Sequence, residues 1–164
     1  MRALVASCAL SAASMVPFAT QAAETPATQS MSVVRNGEQA SIMGAPGNFV
    51  GSVRVDPLFA PRQPSAVSAG AVTFQPGARS AWHTHPLGQT LHVLTGVGLV
   101  GLRGQPPRVI RPGDTVWIPP GEEHWHGAGP ETGMAHLAMQ EALDGSVAVW
   151  LEHVTDADYL AAPA

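Results

Sequence analysis

From Met31 to Glu141 the apolar residues come only in short runs, and each run is bounded by glycine, proline or charged residues. That punctuation constrains the fold more than any other feature. Runs of about four to eight residues are long enough for strands and too short for ordinary helices. "MSVV", "FVGSVRV", "SAGAVTF", "TLHVLTG", "GLVGL", "RVI", "TVWI" and "MAHLAMQ" follow one another in this way. The pattern predicts an all-β barrel or sandwich of roughly eight to ten strands. A helical signal arrives only at "TDADYLAA", where Thr155 or Asp156 can cap a short C-terminal turn. No internal repeat divides the chain in two.

The first residues read differently. Met1-Arg2 carries one positive charge, Ala3 to Ala19 is small and apolar, and "TQAAE" supplies small residues for cleavage after Ala22 or Ala23. This predicts a secretory signal peptide over 1–23 and an exported protein, periplasmic or secreted. A membrane anchor fits less well, because the run is short and holds Pro17. A lipoprotein signal at Cys8 would have too little apolar chain ahead of it. Residues 24–40 are expected to form a flexible lead-in and a first strand, and 41–164 a single domain. Cleavage would remove Cys8, the only cysteine, and with it any disulfide or thiol chemistry. All eight basic residues are arginines, so no lysine is available for a Schiff base. Loss of Arg2 would leave seven arginines against twelve acids, a balance that does not suggest nucleic acid as a partner.

The chemistry concentrates in "HTHPLGQTLHVLTG". Residues two apart in a strand share a face, so His83 and His85 project together. Pro86-Leu87-Gly88 makes a turn, and Gln89 opens the next strand, from which it can reach back over both imidazoles. His124 follows a second turn, "PPGEE", and can close the site from elsewhere. Three imidazoles and one oxygen donor suit a first-row divalent ion. His92 is out of phase and should point away. His153 should be solvated, Arg79 and Arg103 should lie at the surface, and the four tryptophans should be core or interface residues.

These motifs resemble those of the cupins, small jelly-roll (double-stranded β-helix) barrels with a metal held inside. The first cupin motif is matched by Gly77, His83, His85, Gln89 and Gly96, and the second by Gly113, Pro119, Gly121 and His124, with residues 97–112 between them. Two positions depart: Gln89 stands where the family has an acid, and Ala128 where it has asparagine. A neutral amide leaves a divalent ion its full charge. That favours polarising a substrate oxygen over cycling the metal's oxidation state. "GARSAWHTHPLGQTLHVLTG", "PGDTVWIPPGEEHWHGA" and "MAHLAMQE" are similar, more narrowly, to bacterial cupin hydroxynitrile lyases. That resemblance implies manganese held by three histidines and a glutamine, and cleavage of a cyanohydrin to a carbonyl compound and cyanide. Iron, zinc, nickel and cobalt also suit the donor set.

Met134, His136, Ala138 and Gln140 share one strand face. If it looks inward, His136 and Gln140 line the cavity. The resemblance gives His136 the proton transfer; in that mechanism Gln140 or a nearby donor would help place the leaving cyanide. A buried histidine bonded to a carbonyl is the plainer alternative. His126 either faces the substrate pocket with Val72 and Phe74 or orients a ligand. Three functions stay open: a hydroxynitrile lyase, a cupin dioxygenase acting on a small aromatic or diketone, and a non-enzymatic periplasmic binding module. In each the partner is a small molecule, and exposed strand edges favour a homodimer or homotetramer.

Overall fold

The computed structural model of the chain describes residues 30–164; the expected signal peptide, with Cys8, and the start of the lead-in lie outside them. The strands are β1 (Ile42–Met43), β2 (Phe49–Val50), β3 (Val53–Phe59), β4 (Val67–Phe74), β5 (Arg79–Ser80), β6 (His83–Thr84) and β7 (Gln89–Gly96). They continue with β8 (Gly98–Leu102), β9 (Arg108–Ile110), β10 (Thr115–Ile118), β11 (His124–Ala128), β12 (Met134–Glu141) and β13 (Val149–Trp150), and a four-residue helix α1 (Asp156–Tyr159) closes the order. One sheet runs β1-β3-β4-β12-β7-β10. In the other, β11 is central: β5 and β6 pair along one edge of it and carry β2 and β13, while β8 and then β9 lie on the opposite edge. All of the pairing is antiparallel, and an apolar cluster drawn from both sheets (Val53, Val72, Phe74, Leu91, Val93, Val100, Met134) fills the space between them. This is the jelly-roll barrel that the cupin resemblance implies; the punctuated runs predict the all-β class with roughly eight to ten strands, and thirteen form because five are only two residues long.

Most of the strand-length pieces form strands, with two exceptions. Met31–Val34 makes none; the sheet ends at β1, which offers only two residues to β3. "FVGSVRV" divides into β2 and β3, in different sheets, because the chain turns at Gly51 with φ +79°. Among the described residues no helix is long and apolar enough to cross a membrane.

The period-two reading of β12 holds. Met134, His136 and Ala138 are buried, while Ala135, Leu137 and Met139 are half-buried on the other face. In β7 Gln89, Leu91 and Val93 are buried, and His92 turns outward to Thr115, Nδ1 to Oγ1 at 2.9 Å. β11 is buried on both faces. His126 and Ala128 look into the barrel, whereas Trp125 packs outward with Trp82, Leu99, Val154 and Tyr159.

The C-terminal segment thus seals the back of the strand that carries two of the site histidines. Thr155 caps α1 by accepting from the Asp158 amide at 3.1 Å, and the Tyr159 hydroxyl donates to the Ala128 carbonyl at 2.8 Å. Arg79, expected at the surface, belongs to this seal. It is 6% exposed, its Nη2 lies 2.6 Å from Asp156 and 3.2 Å from the Val154 carbonyl, and its guanidinium stacks on Tyr159. Arg103 is at the surface as expected, ion-paired to Glu123 and Glu152. His153 is exposed.

Gly127 fixes how closely β11 approaches β5. A Cβ there would stand 2.5 Å from the Ala78 carbonyl oxygen and 2.6 Å from Arg79 Cα, both backbone atoms that cannot rotate away. Gly127→Ala should therefore push the two strands apart and cost about 1–3 kcal/mol. Thermal unfolding checks this; an unchanged Tm would show that the strands yield without cost.

Candidate metal centre

His83 lies on β6, and His85 follows it immediately. Gly88, with φ +83°, turns the chain so that Gln89 can open β7; a Cβ at Gly88 would sit 2.7 Å from the Ile118 carbonyl oxygen. His124 opens β11 directly opposite His83 in the register. One donor atom from each of the three histidines falls within 4.8 Å of the others, and all three residues are buried.

The backbone decides which ring nitrogens these are. His83 Nδ1 donates to the Ala81 carbonyl at 3.0 Å, His85 Nδ1 to the Val147 carbonyl at 2.6 Å, and His124 Nδ1 to the Glu122 carbonyl at 2.9 Å. A carbonyl can only accept, so each Nδ1 holds the proton and each Nε2 of a neutral ring is a bare lone pair. Burial keeps the rings neutral. It lowers the His85 pKa, lowers that of His83 further with help from the neighbouring His124, and brings His124 to about 4.

Gln89 Oε1 stands 3.1 Å from His124 Nε2, an approach of two acceptors with no proton to share. His85 Nε2 is buried without a hydrogen-bond partner. Such a convergence of lone pairs is unfavourable alone and becomes favourable around a cation. The donor set of His83, His85, Gln89 and His124 therefore fits a divalent metal.

The centre forms one end of a cavity of about 260 Å³. Phe49, Val55, Val72, Val147 and Trp150 supply its apolar wall, and His126 and Gln140 add polar groups. Phe49, Val55, Val147 and Trp150 were not anticipated. The Trp150 ring lies 4.7 Å from that of His83, brought there by β13 pairing with β6. Nothing in "SVAVW" marks that pairing, because it joins segments more than 60 residues apart. Val72 lines the cavity as expected. Phe74 does not: it is 1% exposed and packs against the rings of His126 and His136 instead.

His136 is fully buried and is absent from the cavity wall. Its Nε2 lies 3.0 Å from His126 Nδ1, so it meets the cavity through His126, whose own Nε2 is buried without a partner. Burial lowers the pKa of both, His136 to about 4 and His126 well below its usual range. Gln140 lines the cavity with its amide engaged at both ends, accepting from Gln89 Nε2 at 3.4 Å and donating to Ser68 Oγ at 3.0 Å.

Residues 70–139 match the cupin domain family. A cupin-like protein of Thermotoga maritima is 35% identical, with a TM-score of 0.68, over 79% of this chain and 95% of that one. This chain belongs to the cupin family. The cupin is also 55% identical over 129 residues to the (R)-mandelonitrile lyase of Granulicella tundricola, across 79% of this chain and 98% of that protein. A cupin-2 domain protein of Rhodospirillum rubrum, 21% identical, shares the fold with a TM-score of 0.60 over 82% of this chain and 87% of its own. The buried histidine triad and the family together make this a metal-dependent cupin.

Proposed function

We propose that this cupin is a hydroxynitrile lyase that cleaves a small aromatic cyanohydrin to an aldehyde and hydrogen cyanide, and joins them in reverse. One observation carries the reading: one apolar cavity is bordered by a neutral four-donor metal centre and by His126, which a fully buried His136 backs at 3.0 Å. The 55% identity to a mandelonitrile lyase supports the substrate class. The metal, with manganese the first to test, would supply Lewis acidity that makes the substrate hydroxyl easier to deprotonate.

The chain's own residues do the rest. The apolar wall of Phe49, Val72 and Trp150 excludes water and holds the aromatic ring. His126 Nε2 takes the hydroxyl proton while its Nδ1–H donates to His136 Nε2. The former O–H pair becomes the second bond of the carbonyl, and the carbon–carbon pair leaves with cyanide. His126 then returns the proton to cyanide, so atoms and charge balance. His126 thus touches substrate in place of His136, and His136 sets which nitrogen of His126 is free.

The test is direct. Metal-free protein reloaded with manganese should release benzaldehyde and cyanide from mandelonitrile under nitrogen, and chelation should stop it. No cleavage with manganese, iron, zinc, nickel or cobalt, or oxygen uptake with phenols instead, would overturn the reading.

A further inference from the structure

Ser68, Gln140 and Gln89 form one row across three neighbouring strands, Gln140 standing opposite Ser68 of β4 on one side and opposite Gln89 of β7 on the other. Their side chains are joined along that row. The direction of each bond follows from the one before. The Ser68 hydroxyl donates its only hydrogen to the Gln140 backbone carbonyl at 3.3 Å, an atom that can only accept. The hydroxyl is left with lone pairs, so it must receive an N–H, and it does so from Gln140 Nε2 at 3.0 Å. That leaves Gln140 Oε1 facing Gln89, where it accepts from Gln89 Nε2 at 3.4 Å. Gln89 is left with Oε1 on the side of the histidine triad, 3.1 Å from His124 Nε2.

We propose that Gln140, polarised by Ser68, is a positioning residue that fixes which end of the Gln89 amide faces the metal centre. An amide has one end that can ligate a cation and one that repels it, and the two differ hardly at all in shape. A carboxylate has no such choice to make. A neutral amide in this ligand set therefore needs a partner that reads its polarity, and the row across β4, β12 and β7 supplies one.

The inference rests on the metal reading of the centre, and its test is metal affinity in the absence of substrate. Manganese binding is measured by competition with a chelating indicator, in wild type, Gln140→Leu, Ser68→Ala, Gln89→Glu and the Gln89→Glu/Gln140→Leu double variant. Gln140→Leu should weaken binding about 10- to 100-fold, as loss of a ligand-orienting partner does, and Ser68→Ala should weaken it less. In the Gln89→Glu background the same Gln140→Leu change should cost almost nothing. Equal affinity in wild type and Gln140→Leu would overturn the inference. So would an equal loss in both backgrounds, which would mark Gln140 as packing only. Wild type that binds no manganese would instead remove the metal reading itself. Metal-free Tm values check folding, and Ser68→Ala carries the test if Gln140→Leu does not fold.

Discussion

Replacing His136 with alanine is expected to lower the rate of cyanohydrin cleavage by about 10²- to 10⁴-fold, the range ascribed to a positioned acid–base group, with metal content unchanged. His136 contributes no ligand atom to the triad, so nothing in the centre should be lost with it. What goes is the partner 3.0 Å from His126 Nδ1. In the proposed mechanism that partner accepts from His126 Nδ1–H; without it the proton can sit on His126 Nε2, the nitrogen that must be bare to take a hydroxyl proton, and a buried N–H is left unpaired. His126→Ala should cost as much, and the double variant little more, because the pair acts as one unit. The loss should fall on kcat, since the proposed mechanism assigns substrate binding to the cavity wall of Phe49, Val72 and Trp150, which the variant leaves in place. Full activity in His136→Ala would remove the pair from the chemistry.

The metal-free protein should lose stability steeply as the pH falls from about 6.5 toward 4. Five imidazoles inside the barrel are held neutral by burial, with His124 and His136 at about 4 and the others also lowered. In the unfolded chain they titrate near the ordinary value of about 6.5. Between those limits the unfolded chain binds more protons than the folded one, so stability rises with pH through this window. It is fully present above the unfolded value and lost on acidification down to the folded value. For His124 and His136 the difference is on the order of 3 kcal/mol each, together comparable to the whole stability of an ordinary domain. Asp56, half-buried, and Glu152, exposed, also have lowered pKa values and act at lower pH. Urea midpoints of metal-free protein at pH 7 and pH 4.5 check this, and equal midpoints would rule it out. Bound metal should raise the midpoint at pH 7 and much less at pH 4.5, since protons compete for the same Nε2 atoms.

Much of the fold was legible because strands report on neighbours close in sequence. Alternation in "MAHLAMQ" placed Met134, His136 and Ala138 inward, and the turn before Gln89 placed an amide beside two imidazoles. The outward turn of His92 followed from the same phase. Arg79 shows where such reasoning stops. Charge sends an arginine to the surface unless a distant partner receives it, and Asp156 lies 77 positions away.

The sequence by itself determined the strand periods, the turns that need glycine and the nearness of His83, His85 and Gln89, because each depends on residues within a few positions of one another; His124 joins them only through the pairing of β11 with β6. The tertiary structure alone decided what the donors face. Pairing of β13 with β6 brought Trp150 to the cavity wall, packing of β11 against β12 set His126 in front of His136, and the row from Ser68 to Gln89 gave the amide its direction. Those contacts join segments ten to seventy-two residues apart, and local propensity carries no record of where such a chain closes.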